Sequence, residues 1–405
     1  MTSEEIRAST AQHVMHTYNR LPMVFVRGEG VRVWDAEGKE YLDFLAGLGV
    51  NNLGHCHPRV VAAIRQQAGE LLHVSNLYHI APQARLAEML AKRSGFERVF
   101  FCNSGAEANE AAIKLARRYA KKRGHPERYE VITALRSFHG RTLATVAATG
   151  QPKYHQGFEP LPAGFRHVPL NDVDALDRAI TEATCAVMLE PIQGEGGIYP
   201  CTREYLEAVR ERTAQRDLVL IFDEVQCGMG RTGRFFAFEH AGVRPDVVTM
   251  AKALAGGVPI GAVLATGEAA TGFDPGSHAS TFGGNPLACA AGVATLEAMD
   301  AEGVIEHAAE MGEYFMAGLH QLGERMALRR GAPVFKEIRG RGLMIGCELT
   351  IPATPVFQRC LREGLLLNVI DDRILRFLPP LIVQRPEIDQ ALRILEGAVL
   401  DAVAA

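Results

Sequence analysis

The sequence predicts an α/β protein with a large domain built on a mostly parallel sheet covered by helices, joined to a smaller α+β domain. Three observations lead there. From about residue 58, helix-length amphipathic stretches alternate with short apolar runs, "RVFFC", "YEVIT", "CAVML", "LVLIF", "DVVTM" and "GAVLA", the pattern of strands buried on both faces. The segment from about 22 to 45, "PMVFVRGEGVRVWDAEGKEYLDF", instead alternates apolar and polar residues around two glycine turns, which predicts an antiparallel meander. After about 300, helices surround shorter strands such as "RGLMIGCEL" and "ILRFLPPL", which predicts α+β structure. The expected division is residues 1–57, an N-terminal segment belonging to the small domain; 58–300, the large domain; and 301–405, the C-terminal part of the small domain.

Length and composition narrow the functional classes. A chain of 405 residues is long enough for two domains and a cleft between them. With 47% hydrophobic and 22% charged residues and a formal net charge of −4, it has no basic excess to attract nucleic acid. The opening "MTSEEIRAST" is acidic, and no stretch has the ~20 apolar residues needed to span a bilayer. A cytoplasmic protein without membrane contact is expected. The eight cysteines are scattered without a CxxC pair, so neither zinc nor a disulfide framework is indicated. "HCHP" at His55–Pro58 has no second cluster to complete a metal site; it reads as a capped helix start before "RVVAAIRQQ", and no metal is expected.

The stretch "IFDEVQCGMGRTG", 221–233, carries glycines spaced GxGxxG at Gly228, Gly230 and Gly233. A dinucleotide loop begins at the strand end, opens a helix and has an acid about 20 residues on. Here "DEVQC" intervenes, "RFFAFEH" comes next, and the region about 20 residues downstream is the basic "MAKALAGG". The alternative is that Asp223 and Gln226 carry chemistry while the glycines shape the loop. Asp223 ends a buried strand, where open α/β sheets place ligands. A carboxylate there needs a partner, and a protonated ring nitrogen would serve.

Lys252, in "TMAKALAGG", has small and apolar neighbours. Taken alone it reads either as a snorkelling lysine or as a desolvated, nucleophilic amine. In "CNSGAEANEAAIKLARR", Ser104, Gly105 and Ala106 stand between a strand and a long helix. This is either a plain capping box of Ser104 with Glu107 or an anion site on free backbone amides. A phosphate cradle, a strand-end acid and an apolar-loop lysine together describe one ligand, pyridoxal phosphate.

Through "NSGAEANEAA", "SFHGRT", "EPIQGEGG", "FDEVQCGMGRTG", "AKALAGG", "TFGGNP" and "RFLPPL", nearly the whole chain resembles the class III aminotransferases of the fold-type I pyridoxal-phosphate enzymes. Within that family the likeness is nearest to the acetylornithine aminotransferases of arginine metabolism. The resemblance implies that Lys252 forms the Schiff base, Asp223 pairs with the pyridine nitrogen and Gln226 contacts the ring hydroxyl. It further implies that Phe138 stacks on the ring and that Ser104, Gly105 and Ala106 hold the phosphate. Thr281 would reach the phosphate of a neighbouring subunit, making the protein a homodimer. Without the family, Phe138 reads as a core aromatic and Thr281 as a turn hydroxyl.

Such an enzyme accepts both glutamate and a terminal-amine donor in one pocket. Both carry a distal carboxylate, for which a bidentate arginine is the natural clamp, and Arg141 in "FHGRT" is the candidate. Glutamate's proximal carboxylate is expected at Arg376 in "LRFLPP". That arginine must be neutralised when the other donor binds, and Glu195 in "QGEGG" matches the family's switching partner. For either arginine alone, a solvated surface charge is the default. His139 stands where ornithine aminotransferases typically carry tryptophan, which favours N-acetylornithine as donor and 2-oxoglutarate as acceptor. Tyr18, in "TYNRLP", aligns with a substrate-holding tyrosine of ornithine aminotransferases, which keeps ornithine open. Succinylornithine and 4-aminobutyrate are further alternatives within the class; a cofactor-free binding protein and a dehydrogenase lie outside it. Phe282 stands where tyrosine is commoner, a change with no evident reading.

Overall fold

The computed structural model describes residues 1–404. The N-terminal meander comprises β1 (Phe25–Glu29), β2 (Arg32–Asp35) and β3 (Glu40–Asp43), paired antiparallel. Its turns fall at Gly30 (φ 55°) and Gly38 (φ 85°), left-handed positions that glycine adopts without steric cost.

The central sheet draws on β4 (Arg98–Cys102), β5 (Glu130–Ala134), β6 (Phe165–Val168) and β7 (Thr184–Leu189). After a two-stranded ribbon, β8 (Ile192–Gln193) and β9 (Tyr199–Pro200), it continues with β10 (Val219–Asp223), β11 (Val247–Met250) and β12 (Gly261–Ala265). The strand order is β4-β12-β11-β10-β7-β5-β6. The run from β11 to β6 is parallel, and β12 lies antiparallel to both β11 and β4. Every residue of β5, β7, β10, β11 and β12 is buried, which is why these strands read as mostly apolar runs. The edge strand β6, "FRHV", has only Val168 buried; that polarity hides it from a search for apolar runs.

Helix Gly105–Lys122 packs on the sheet through Ala108, Ala111, Ala112, Leu115, Ala116 and Tyr119, all buried on one stripe. Helix Pro286–Ala301 lies against helices Pro58–Glu70 and Ala81–Ser94. Proline begins the helix at 58 as expected, but His57 makes no side-chain cap bond, so the predicted cap is corrected to a proline start. The fixed φ of proline suits that first position.

The C-terminal portion contains β13 (Phe335–Arg341), β14 (Met344–Leu349), β15 (Leu365–Leu366), β16 (Asn368–Ile370) and β17 (Ile374–Phe377). Four of these form a sheet in the order β13-β14-β17-β16, while β15 joins β3 of the meander. Among the described residues no helix is long and apolar enough to cross a membrane.

Candidate active site

Asp223 is the last residue of β10 and is 3% exposed. Its Oδ2 accepts hydrogen bonds from Asn109 Nδ2 at 2.7 Å and His139 Nδ1 at 2.8 Å, and Oδ1 accepts one from the Val225 amide at 3.0 Å. With a single donor, Oδ1 retains acceptor capacity. The His139 side chain is wholly buried and its Nε2 has no partner, which assigns the proton to Nδ1. His139 therefore buttresses Asp223 while also bordering the cavity.

Lys252 comes just after β11 at φ 44°, a left-handed conformation uncommon for a side-chain-bearing residue. It lines the same cavity of about 420 Å³ as Asp223 and Gln226. Burial pushes its ammonium below the ordinary lysine range; Glu195 opposes that shift, Arg376 adds to it, and Asp223 opposes it again. That direction favours the free, nucleophilic amine relative to an exposed lysine.

The third wall is the start of helix Gly105–Lys122. Ser104 Oγ accepts from the Glu107 amide at 3.1 Å, while the Glu107 carboxylate turns to the Asn103 amide at 2.5 Å. Only half of the capping box forms. The amides of Gly105 and Ala106 belong to a first helical turn, which has no intrahelical acceptors, and both residues line the cavity. A Cβ on Gly105 would fall 2.7 Å from Val225, so a side chain there would crowd the cradle. The set of groups suits an anion at the helix start, a protonated ring nitrogen at Asp223 and a carbonyl at Lys252.

Phe138 lines the cavity and meets Tyr154 edge to face, with centroids 5.6 Å apart. Arg141 lies over the Tyr154 ring at 4.1 Å and makes no ion pair among the described residues. It lines both the main cavity and a neighbouring one of about 350 Å³ that includes Tyr18, Leu143 and Phe158. Tyr18 is 71% exposed and does not reach the main cavity. Thr281 is also exposed and lines a different cavity, with Glu107 and Ser280.

Arg376, on β17, has a fully buried side chain. Its Nη1 donates to Glu195 Oε1 at 2.5 Å, to the Gly194 carbonyl at 3.2 Å and to Gln226 Oε1 at 3.3 Å, and its Nε donates to Asn368 Oδ1 at 2.9 Å. Gln226 Nε2 also donates to Glu195 Oε1, at 3.1 Å. Burial alone would raise the Glu195 carboxyl, but the charge and hydrogen bond of Arg376 outweigh it and hold it at about 2.

The glycine-rich stretch 228–233 does not face the cavity. Glu224 folds it back: its carboxylate accepts from the amides of Ala237 and Phe238, each at 2.9 Å. Arg231, fully buried, donates to the carbonyls of Leu343 and Pro379 and to Asn52 Oδ1. Beyond the glycines the chain forms only a short 3-10 helix, Ala237–His240.

Two site residues escape a reading of the sequence alone. Glu190, directly after β7, accepts from the amides of Phe138 at 2.8 Å and Gly194 at 3.0 Å. It satisfies the same strand-end criterion that singles out Asp223. Asn109, which donates to Asp223, is an amide among alanines on the buried stripe of its helix, a placement that by itself calls for a partner.

The family model for aminotransferase class-III matches residues 13–399. The chain is 54% identical over 389 residues to an acetylornithine aminotransferase of Caldanaerobacter subterraneus subsp. tengcongensis, covering 96% of this chain and 97% of that protein. Its fold is similar to that of the ornithine aminotransferase of Toxoplasma gondii, with a TM-score of 0.93 at 36% identity over 99% of this chain and 96% of the other. It is also similar to the N-acetylornithine aminotransferase of Stenotrophomonas maltophilia, with a TM-score of 0.83 at 38% identity over 98% and 99% of the two chains. This chain belongs to the class-III aminotransferases.

Proposed function

We propose that this enzyme uses pyridoxal 5′-phosphate to transfer the terminal amine of N2-acetyl-L-ornithine to 2-oxoglutarate, giving N-acetyl-L-glutamate 5-semialdehyde and L-glutamate. The observation that carries this reading is the contrast between two arginines of one site: Arg376 is neutralised by Glu195, whereas Arg141 has no carboxylate partner among the described residues. The 54% identity to an acetylornithine aminotransferase supports the choice of donor. On the same likeness we assign the activity to arginine biosynthesis in the cytoplasm.

The cofactor, when bound, supplies an aldehyde that takes up the amine and a protonated ring that accepts the electrons released at the substrate carbon. Lys252 would hold that aldehyde through Nζ, and its free amine would carry the proton at the substrate carbon. Asp223, its carboxylate fixed by Asn109 and His139, would keep the ring nitrogen protonated. Gln226 would take the ring hydroxyl, Phe138 would cover the ring face, and Ser104, Gly105 and Ala106 would hold the phosphate. Arg141 clamps the carboxylate common to both substrates. Arg376 takes the second carboxylate of glutamate once Glu195 swings aside, and Glu195 covers it when the donor carries none.

We also propose a homodimer in which Thr281 serves the partner's phosphate. Support comes from the apolar side chains around it, Leu77 at 84% and Phe282 at 60% exposure, which Asn76 ties together through the Ser280 and Gly283 carbonyls. The division at about 57 and 300 is part of the same proposal, with the two terminal segments forming one small domain.

Plain ornithine is a second reading, favoured by Tyr18 sharing a cavity with Arg141. Its α-amine would bring a second positive charge near that arginine, so the acylated donor is preferred. Single-turnover reaction with a donor panel, monitored by visible absorption of the bound cofactor, tests this. N-acetylornithine should react with a higher second-order rate constant than ornithine or the shorter 4-aminobutyrate; the reverse order would overturn the donor assignment. Borohydride should fix the cofactor to the peptide containing Lys252, and labelling elsewhere would overturn the site.

A further inference from the structure

The turn that carries Glu195 rests in a trough of the C-terminal sheet. Strand register aligns Arg339 on β13 with Gly346 on β14, and Gly346 with Arg376 on β17. Residues paired across antiparallel strands present their side chains to the same face, so two arginines flank a position that has no side chain. The turn fills the gap. A Cβ on Gly346 would lie 3.0 Å from Ile198 Cβ and 3.2 Å from the Gly197 carbonyl oxygen.

Each arginine grips one end of that turn. Arg376 donates to the Gly194 carbonyl at 3.2 Å and holds Glu195, and Arg339 Nε donates to the Gly197 carbonyl at 3.0 Å. Arg339 is 6% exposed. Its Nη1 pairs with Glu337 and Glu348, both at 2.8 Å, and its guanidinium lies 3.9 Å from the Tyr199 ring centroid. The turn is not in a relaxed local conformation. Ile198 sits at φ 60°, a costly value for a β-branched residue that persists only where surroundings impose it.

We infer that Arg339 is a positioning residue for the Glu195 switch, fixing the turn so that only the side chain of Glu195 moves. When glutamate engages Arg376, the grip from that side loosens and the Arg339 bond to Gly197 keeps the backbone in place. Glu195 can then return over Arg376 for a donor without a proximal carboxylate. This inference rests on the switch proposed above.

The test is a cycle of Arg339→Gln, Arg339→Lys, Glu195→Ala and the double variant Arg339→Gln/Glu195→Ala, each as holoenzyme. Single-turnover rate constants for N-acetylornithine and glutamate are the first readout, and calorimetric binding of glutarate the second. Arg339→Gln should lower the ratio of N-acetylornithine to glutamate reactivity roughly tenfold, the scale of one lost hydrogen bond from a charged donor. Glutarate affinity should hold or rise, because Arg376 is less well covered. Arg339→Lys, keeping charge and fold but not the planar fork, should move the ratio in the same direction. In the Glu195→Ala background, Arg339→Gln should leave the ratio unchanged. A shift of equal size there, or equal losses with both substrates in the single variants, would overturn the inference. If Glu195→Ala alone does not change the ratio, the switch itself fails, and that result is distinct from a failure of Arg339.

Discussion

Two glycine-rich stretches leave the carboxyl ends of adjacent parallel strands, 227–233 after β10 and 193–197 after β7, and they do opposite things. The first looks like a nucleotide loop in sequence and is a sealed structural plug. Glu224 closes it onto Ala237 and Phe238, and Arg231 fastens it to the carbonyls of the C-terminal segment. The second presents Glu195, half-buried, to Arg376. Glycine spacing is common to both; the side chains between the glycines, and the charges they meet, separate the plug from the proposed switch.

The largest expected effect falls on the plug. Gly233 has φ 81°, and a Cβ there would meet Ala309 Cα at 2.9 Å in helix Val304–Arg330. Gly233→Val combines backbone strain with overpacking and should cost about 3–5 kcal/mol in urea unfolding. The donor preference of the molecules that still fold should be unchanged. A loss below ~1 kcal/mol would show that the plug is not closely packed.

The two glutamates should also respond to pH in opposite windows. Burial raises the Glu224 carboxyl to about 7, against the hydrogen bonds from Ala237 and Phe238. Its folded value exceeds the ordinary 4.5, so its contribution to stability is present at low pH and is lost as pH rises through about 7. Glu195, held at about 2, contributes above the ordinary carboxyl range and loses that contribution as pH falls toward 2. Glu224→Gln should therefore flatten the stability profile between about pH 4.5 and 7, and Glu195→Gln the profile below about pH 4.5. If both substitutions flatten the same window, the contrast between the loops is wrong.

The smallest effect is expected at Arg136, beside the turn that carries Glu195. Arg136 lies 5.2 Å from the centroid of the Tyr199 ring, farther than Arg339, and is exposed. Arg136→Ala should change stability by less than about 0.5 kcal/mol and leave the donor ratio within about twofold. A shift as large as that expected for Arg339→Gln would mean that the turn is held from both sides.

The legibility of these features in the sequence has physical causes. Strands buried on both faces are mostly apolar, so β5, β7, β10, β11 and β12 can be read from composition, as can the apolar β4, whereas the half-polar edge β6 cannot. Asp223 and Lys252 stand out because a charge in an apolar setting needs a reason. Glu190 meets the same test one strand away, but in "EPIQGEGG" the second glutamate, flanked by glycines, is the more conspicuous of the two. His139 illustrates the other limit: sequence places it between Phe138 and Arg141, and only the fold turns its imidazole behind Asp223. The row Arg339–Gly346–Arg376 joins three strands, and register between distant strands leaves no trace in local pattern.

The central claim is that the second loop is a switch that hides one arginine from one substrate. Single-turnover kinetics of Glu195→Ala with N-acetylornithine and with glutamate test it most directly. Removing the partner of a buried arginine should lower the rate constant for N-acetylornithine roughly tenfold or more, while that for glutamate, which brings its own carboxylate to Arg376, is kept or raised. Equal losses with the two substrates would contradict the account.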